Sequence, residues 1–279
     1  MSGLVSAPFF ARRERFAIVG STNTLVRGWL DDGVAEVCLA VADEQTAGRG
    51  RDGRTWTAPT RAALLLSVGY RPTWLEPDRT WQLAAIVALA MAEAGEASAG
   101  LRERSIRLKW PNDLVIETAD GVVAKLAGVL GETIGLGTDD PRAIVGIGIN
   151  ADWAAADFPT ELATTMTSLR EAAGGTAIDR ETLLDAFVDR LDARTAALRE
   201  GRFDASAWVA RQLTNGRPVR LELAGGRSTV ERALGVDVSS GGLVVEDSSA
   251  ADGQRTVLTG EIVHLRVADD SVDAEPVGV

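Results

Sequence analysis

Apolar positions change their spacing several times along the chain, and each change marks a different kind of element. An apolar stretch at about Phe16–Val19 reads as a strand; "STNT" from Ser21 then supplies a helix N-cap, and that helix ends near Gly33. A second strand, "VCLAVAD" from Val37, is followed by "ALLLSVGY" at Ala63–Tyr70, whose bulky run suits a central strand. A core helix is expected from about Asp78 to Glu93. Four short β-type segments, "IRLKW", "DLVIE", "KLAGVLGETI" and "AIVGIGIN", fill Ile106–Asn150 and predict a largely antiparallel sheet. From about Glu161 to Leu213 the period is helical, with Leu183, Leu184, Phe187, Val188, Leu191 and Leu198 on one broad face that packs onto the sheet. Beyond "NGRP" at Asn215–Pro218, short alternating strands with glycine turns predict a small β-barrel. The expected fold is therefore α+β. A mixed, largely antiparallel sheet flanked by helices occupies residues 1–214, a barrel 215–268, and a frayed acidic tail 269–279.

Composition narrows the chemistry. With 279 residues, 46% of them hydrophobic, the chain can bury one sizeable core and a smaller second one. Its 29 basic residues against 40 acidic give a net charge of −11, which repels phosphate polymers and anionic membranes. A local basic loop therefore means a site and not a general affinity. One cysteine, Cys38, excludes an internal disulfide framework, and the N-terminus lacks a secretory pattern, so the cytoplasm is the expected compartment. The longest apolar run, from Trp81, meets charge at Glu93, short of the roughly 20 residues that span a bilayer. A single histidine, His264, leaves no His/Cys cluster for zinc and argues against a Ser/His/Asp hydrolase. The few residues before the first strand are too short for a helix-turn-helix module, so no nucleic-acid partner is expected.

The stretch "QTAGRGRDGRTW", Gln45–Trp56, joins two strands and sets Gly48, Gly50 and Gly53 at GxGxxG spacing, with Arg49, Arg51 and Arg54 among them. A dinucleotide-binding turn would lead into a helix; "TWTAPT" and another strand follow instead. A nucleic-acid loop would use Trp56 as a stacking platform, but no second basic stretch supports it. A plain arginine-bearing surface loop remains open. The alternative with chemical content is a small-anion site. Glycines let backbone N–H groups close on a ligand, and arginine forks suit carboxylate or phosphate at about 1.5–3 kcal/mol per charge-assisted bond.

Taken with "STN" (Ser21–Asn23), "KWPND" (Lys109–Asp113), "KLAGVLGE" (Lys125–Glu132) and "GIGIN" (Gly146–Asn150), the loop resembles the biotin protein ligases in motif order and approximate spacing. The resemblance spans about Phe16 to the C-terminal barrel. It implies a class II synthetase-like catalytic domain followed by an SH3-like barrel. The implied enzyme activates biotin with ATP to biotinyl-5′-AMP and transfers it to a lysine of the biotin carboxyl carrier domain of acyl-CoA carboxylases. Carried over residue by residue, Ser21, Thr22 and Gln45 face the biotin ureido ring, walled by the backbone from Gly48 through Arg49 and Gly50 to Arg51. Arg51 bridges the biotin carboxylate and the adenylate phosphate, Arg54 faces the ATP phosphates, and Trp56 stacks on adenine. Asn112 and Asn150 read the adenine, Asp113 helps hold Mg²⁺, Lys125 touches carboxylate and phosphate, and Gly128 lets the biotin ring approach its strand.

Each position has a plainer alternative: an N-cap for Ser21, core for Trp56, a turn cap for Asn112 and Asp113, an edge charge for Lys125. Because the attacking carboxylate is already ionised, adenylation needs no side-chain base, which suits a chain with one late histidine. Asp52, between the arginines, and the apolar approach "DGVVAK" depart from what relatives usually carry. The resemblance implies a monomer or weak homodimer without a DNA-binding module and hence without repressor function. A lipoate or octanoate ligase, or a non-catalytic binding protein, are the competing readings.

Overall fold

The computed structural model describes residues 9–118, 121–223, 228–259 and 262–267. The first strands are β1 (Arg12–Val19), β2 (Cys38–Gln45) and β3 (Ala63–Tyr70), followed by β4 (Ile106–Lys109), β5 (Asp113–Glu117), β6 (Val123–Ile134) and β7 (Arg142–Asn150). They form one sheet in the order β1-β2-β3-β7-β6-β5-β4. β1 and β2 run parallel, while β2–β3, β3–β7, β7–β6 and β6–β5 pair antiparallel. The expected mixed, largely antiparallel sheet is therefore present.

Helix α1 (Thr22–Asp31) covers one face of this sheet, packing Val26, Trp29 and Leu30 against Cys38, Ala40 and Ile144. Side chains alternate along a strand. A Cβ at Gly146 would meet Asn23 of α1, whereas one at Gly131 would face Ala84 of α2 (Trp81–Ser98) at 3.9 Å. Gly128, Leu130 and Glu132 of β6 thus share the α1 face with Ile144, Gly146 and Gly148 of β7. The opposite face carries α2, which also packs against a later helix, α4 (Arg180–Arg199). Covered on both sides, α2 is apolar almost all round, and its Leu83, Val87, Leu89 and Met91 are buried.

Two sequence expectations shift. The core helix begins at Trp81 because Pro77–Arg79 forms a 3-10 turn, and it runs on to Ser98. The helical stretch expected from Glu161 starts later: α3 spans Leu169–Ala172, α4 Arg180–Arg199 and α5 Ala205–Ala210. The segment before α3, rich in stiff threonines, is extended at Lys125: the Lys125 N–H donates to Thr165 O (2.8 Å), and Thr167 N–H donates to Lys125 O (2.9 Å).

The chain divides into two compact units, one running to Arg107 and resuming at Asn112–Asp204, the other comprising Leu108–Pro111 and the chain from Ala205. The division lies ahead of the expected boundary at 214/215, because Leu108 pairs with the segment at Arg211–Leu213 (2.8 and 2.7 Å). In the second unit β8 (Pro218–Leu223), β9 (Ser228–Val236), β10 (Leu243–Glu246), β11 (Gln254–Val257) and β12 (Ile262–Val267) form an antiparallel sheet ordered β11-β10-β9-β8-β12. Trp110 joins its core with Val219, Leu221, Ala233, Leu243, Val245 and Val257. The acidic tail at 269–279 lies outside the described residues. Among those described, no helix is long and apolar enough to cross a membrane.

Candidate active site

On the α1 face, β6 and β7 pair Gly128 with Gly148 and Leu130 with Gly146, leaving a strip of sheet nearly bare of side chains. Trp56 rests on it. A Cβ at Gly148 would stand 2.7 Å from the indole Nε1, and one at Gly128 3.3 Å from Cζ3. The indole Nε1 is buried and has no hydrogen-bond partner among the described residues. Where Gly128 was expected to admit a ligand ring, the glycine strip thus carries the Trp56 indole.

The arginine loop is a hairpin. Trp56 N–H donates to Gly48 O (3.0 Å), Gly50 N–H to Arg54 O (2.7 Å), and Arg49 bridges to Thr55. Its tip is a 3-10 turn at Arg51–Gly53, with Asp52 at φ 55° and Gly53 at φ 72°. Gly48 is required where it stands, because a Cβ there would collide with Trp56 O. The three arginines take different directions. Arg49 reaches Glu132 Oε2 (3.2 Å) and Thr24 Oγ1 (3.4 Å). Arg54 is exposed, donates to Arg51 O (3.2 Å) and lies 3.6 Å from Asp52, so the acid between the arginines tempers the charge of Arg54. Arg51 is half-buried. Burial is the main influence lowering its guanidinium below the usual arginine range; Asp52 and Asp113 oppose the shift and Arg54 adds to it. A charge stripped of part of its water gains most from an arriving anion. The hairpin, Leu130 and Glu132 line a cavity of about 610 Å³.

Beside the strip, small polar groups form a chain. Gln45 Oε1 accepts the Thr22 N–H (2.8 Å) and lies 3.0 Å from Thr22 Oγ1. Thr22 Oγ1 is 2.7 Å from Ser67 Oγ, which is 2.6 Å from Asn23 Oδ1. Asn23 Nδ2 donates to Glu132 Oε2 (2.8 Å), and Arg27 donates to Glu132 Oε1 (3.3 Å). Ser67, Asn23 and Glu132 were not among the expected site residues. Asn23 and Glu132 lie within the motifs "STN" and "KLAGVLGE"; Ser67 is signalled by a single serine among the aliphatic residues of the run "ALLLSVGY". Ser21 is buried at the start of α1 but its side chain makes no capping bond, so the N-cap expectation fails in its side-chain part.

Lys125 Nζ sits 2.6 Å from Asp113 Oδ1 and 5.5 Å from the centre of the Trp56 ring. The neighbouring amides are turned onto backbone: Asn112 Nδ2 donates to Val129 O (3.0 Å) and Asn150 Nδ2 to Thr167 O (2.9 Å). Trp110 of "KWPND" instead serves the core of the second unit, donating to Gly241 O (3.0 Å). Among the described residues no three His, Cys, Asp or Glu side chains converge as a metal site. Asp113, expected beside a metal, faces an ammonium group.

Hydrogen-bonding groups at one end, unlike cations at the other and, between them, a glycine strip covered by the Trp56 indole suit a substrate with a polar ring and a carboxylate tail. That is the site plan of a ligase that activates a carboxylic acid. The sequence profile of the Biotin/lipoate A/B protein ligase family matches residues 16–150. Over 256 residues the chain is 35% identical to the biotin–[acetyl-CoA-carboxylase] ligase of Mycobacterium tuberculosis, covering 90% of this chain and 88% of that protein. Its structure is similar to the biotin protein ligase from Aquifex aeolicus in complex with biotin and ATP, with a TM-score of 0.74, 28% identity, and coverage of 93% of this chain and 100% of that one. It is also similar to the biotin protein ligase from Leishmania major in complex with biotinyl-5-AMP, with a TM-score of 0.57, 25% identity, and coverage of 91% and 100%. The chain belongs to this family, and within it to the biotin protein ligases.

Proposed function

We infer that this protein is the ligase that joins biotin to ATP, releasing pyrophosphate and forming biotinyl-5′-AMP, and then passes biotin to a lysine of a carrier domain. The observation that carries this reading is the half-buried Arg51 and the Asp113-held Lys125 beside a glycine strip that meets Asn23, next in sequence to the Gln45-bonded Thr22. The ionised biotin carboxylate attacks the α-phosphorus of ATP, and pyrophosphate leaves. Arg51 and Lys125 align the two anions, and with Arg54 they neutralise charge that develops at phosphorus. Asn112, Asn150 and Trp56 form the adenine end, where the indole face turned from the strip is the stacking surface. The hairpin from Gly48 to Trp56 covers the mixed anhydride and excludes water until the carrier amine attacks its acyl carbon and AMP leaves.

Magnesium enters with the ATP phosphates, since a hard cation that keeps its waters is commonly held by substrate phosphates and one or two carboxylates. Asp113, which pairs with Lys125, would be the carboxylate beside it. The partner we assign is the biotin carboxyl carrier domain of an acyl-CoA carboxylase, met by a monomer or weak homodimer in the cytoplasm; a single buried cysteine supports that compartment. We read β8–β12 as an SH3-like barrel, on the support of its antiparallel order and apolar centre. Incubation with biotin, MgATP and a carrier domain should add one biotinyl group to one carrier lysine by mass spectrometry. Modification by lipoate or octanoate in place of biotin would overturn the substrate assignment.

A further inference from the structure

Three glycines from three separate motifs converge on one side chain. Gly48 of the hairpin has no room for a Cβ beside Trp56 O, and its carbonyl accepts the Trp56 N–H (3.0 Å), so the main chain of Trp56 is pinned at the hairpin base. The ring then lies over the sheet, where Leu65, Gly148, Gly128 and Asp113 stand side by side on β3, β7, β6 and β5. Neighbouring strands are about 4.8 Å apart, so two adjacent positions without side chains leave a slot wide enough for a bicyclic ring. The two glycines hold different parts of the indole. At Gly148 the three atoms nearest an added Cβ all belong to Trp56: Nε1 at 2.7 Å, Cε2 at 2.8 Å and Cζ2 at 3.2 Å. At Gly128 they are Trp56 Cζ3 at 3.3 Å and the Cε and Nζ of Lys125, both at 3.5 Å.

No hydrogen bond fixes the ring in this slot, because Nε1 is buried without a partner among the described residues. Its level above the sheet is set by van der Waals contact, and a carbon forced to within 3 Å of the ring must push it away. With the main chain held at Gly48, the ring can give only by tilting. We propose that Gly148 is a positioning residue for the nucleotide: its missing side chain sets the level and tilt of Trp56, and through them the plane on which adenine stacks. This rests on the ligase reading above. It adds that the second glycine of "GIGIN" acts on the nucleotide and not on the acid, whereas Gly128, which also borders Lys125, serves the stacking ring and the cation together.

The test is biotin-dependent exchange of labelled pyrophosphate into ATP by wild type, Gly148→Ala, Trp56→Phe and the double variant. In Gly148→Ala the KM for ATP should rise about tenfold while those for biotin and pyrophosphate stay within about twofold, because stacking depends on ring geometry and pyrophosphate is left to the cations. A phenyl ring has no Nε1 for the new methyl to meet. Adding Gly148→Ala to Trp56→Phe should therefore raise the KM for ATP by less than about twofold further. Losses that multiply in the double variant, an unchanged KM for ATP in folded Gly148→Ala, or equal rises for all three substrates, as a merely structural glycine would give, overturn the proposal. If Gly148→Ala does not fold, the double variant should; its failure to fold would show that the methyl meets something other than the indole and would overturn the proposal too. Absence of exchange in the wild type would overturn the ligase reading itself, and this inference with it.

Discussion

Gly146 shows how one missing side chain shapes the site. Its Cβ would occupy the place of Asn23 Oδ1, and Asn23 is a short buried side chain held on one side by Ser67 and on the other by Glu132. Gly146→Ala should therefore destabilise the fold by about 1–3 kcal/mol, as overpacking does, and also weaken biotin binding through Asn23. Urea unfolding and the KM for biotin, measured together, check both halves. Lys125 and Arg51 separate by step. Lys125→Ala should cut the adenylation rate by about 10²-fold or more with the fold intact, whereas Arg51→Ala should release biotinyl-5′-AMP into solution faster than the carrier can use it. Rapid-quench measurement of the adenylate, bound and free, separates the two. Cys38 is a residue of the core and not of the chemistry. Burial pushes its thiol up to about 11 from an ordinary 9.0. The folded state keeps the proton where the unfolded chain loses it, so stability falls as pH rises from about 9 towards 11. The urea midpoint should drop more steeply between pH 8 and 10 in wild type than in Cys38→Ala.

At the scale of elements, the hairpin and α1 are tied together by one carboxylate. Glu132 of β6 takes Asn23 and Arg27 from α1 and Arg49 from the hairpin. Glu132→Ala should free the hairpin, and amide hydrogen exchange should accelerate across residues 48–56 while that of β3 and β7 stays protected. Unchanged protection there would show that the hairpin is held by its own backbone bonds alone. The strands were readable because alternation and turn residues are local: "ALLLSVGY" matches β3 residue for residue. The hairpin geometry was not, since GxGxxG spacing fits several backbones. What distinguishes them here is the bonding of Gly48 to Trp56 and of Gly50 to Arg54, between residues eight and four apart. The segment before α3 also misled. Apolar spacing there allowed a helix, but the neighbouring backbone of Lys125 supplies extended partners that a local pattern does not contain.

At the scale of the whole chain, a net charge of −11 disfavours polyanions, and on the function proposed above Arg51, Arg54 and Lys125 are the local cations that take small ones. Motif order carried much of the candidate site into view, including Thr22, Gln45, Arg51 and Lys125. It left out Ser67 and gave Glu132 no role, because their parts arise from contacts between segments far apart in sequence, 45 residues for Ser67 with Thr22 and 109 for Glu132 with Asn23. The same distance in sequence hid the role of Trp110, which leaves its motif to fill the core of the second unit. The central claim is that this site activates biotin. The most direct measurement is exchange of labelled pyrophosphate into ATP with Mg²⁺ and with biotin, lipoate or octanoate supplied in turn, because it needs no carrier. Exchange that depends on biotin, and is much weaker with the other two acids, is the predicted result; exchange with lipoate or octanoate but not biotin, or with none of the three from folded protein, would contradict it.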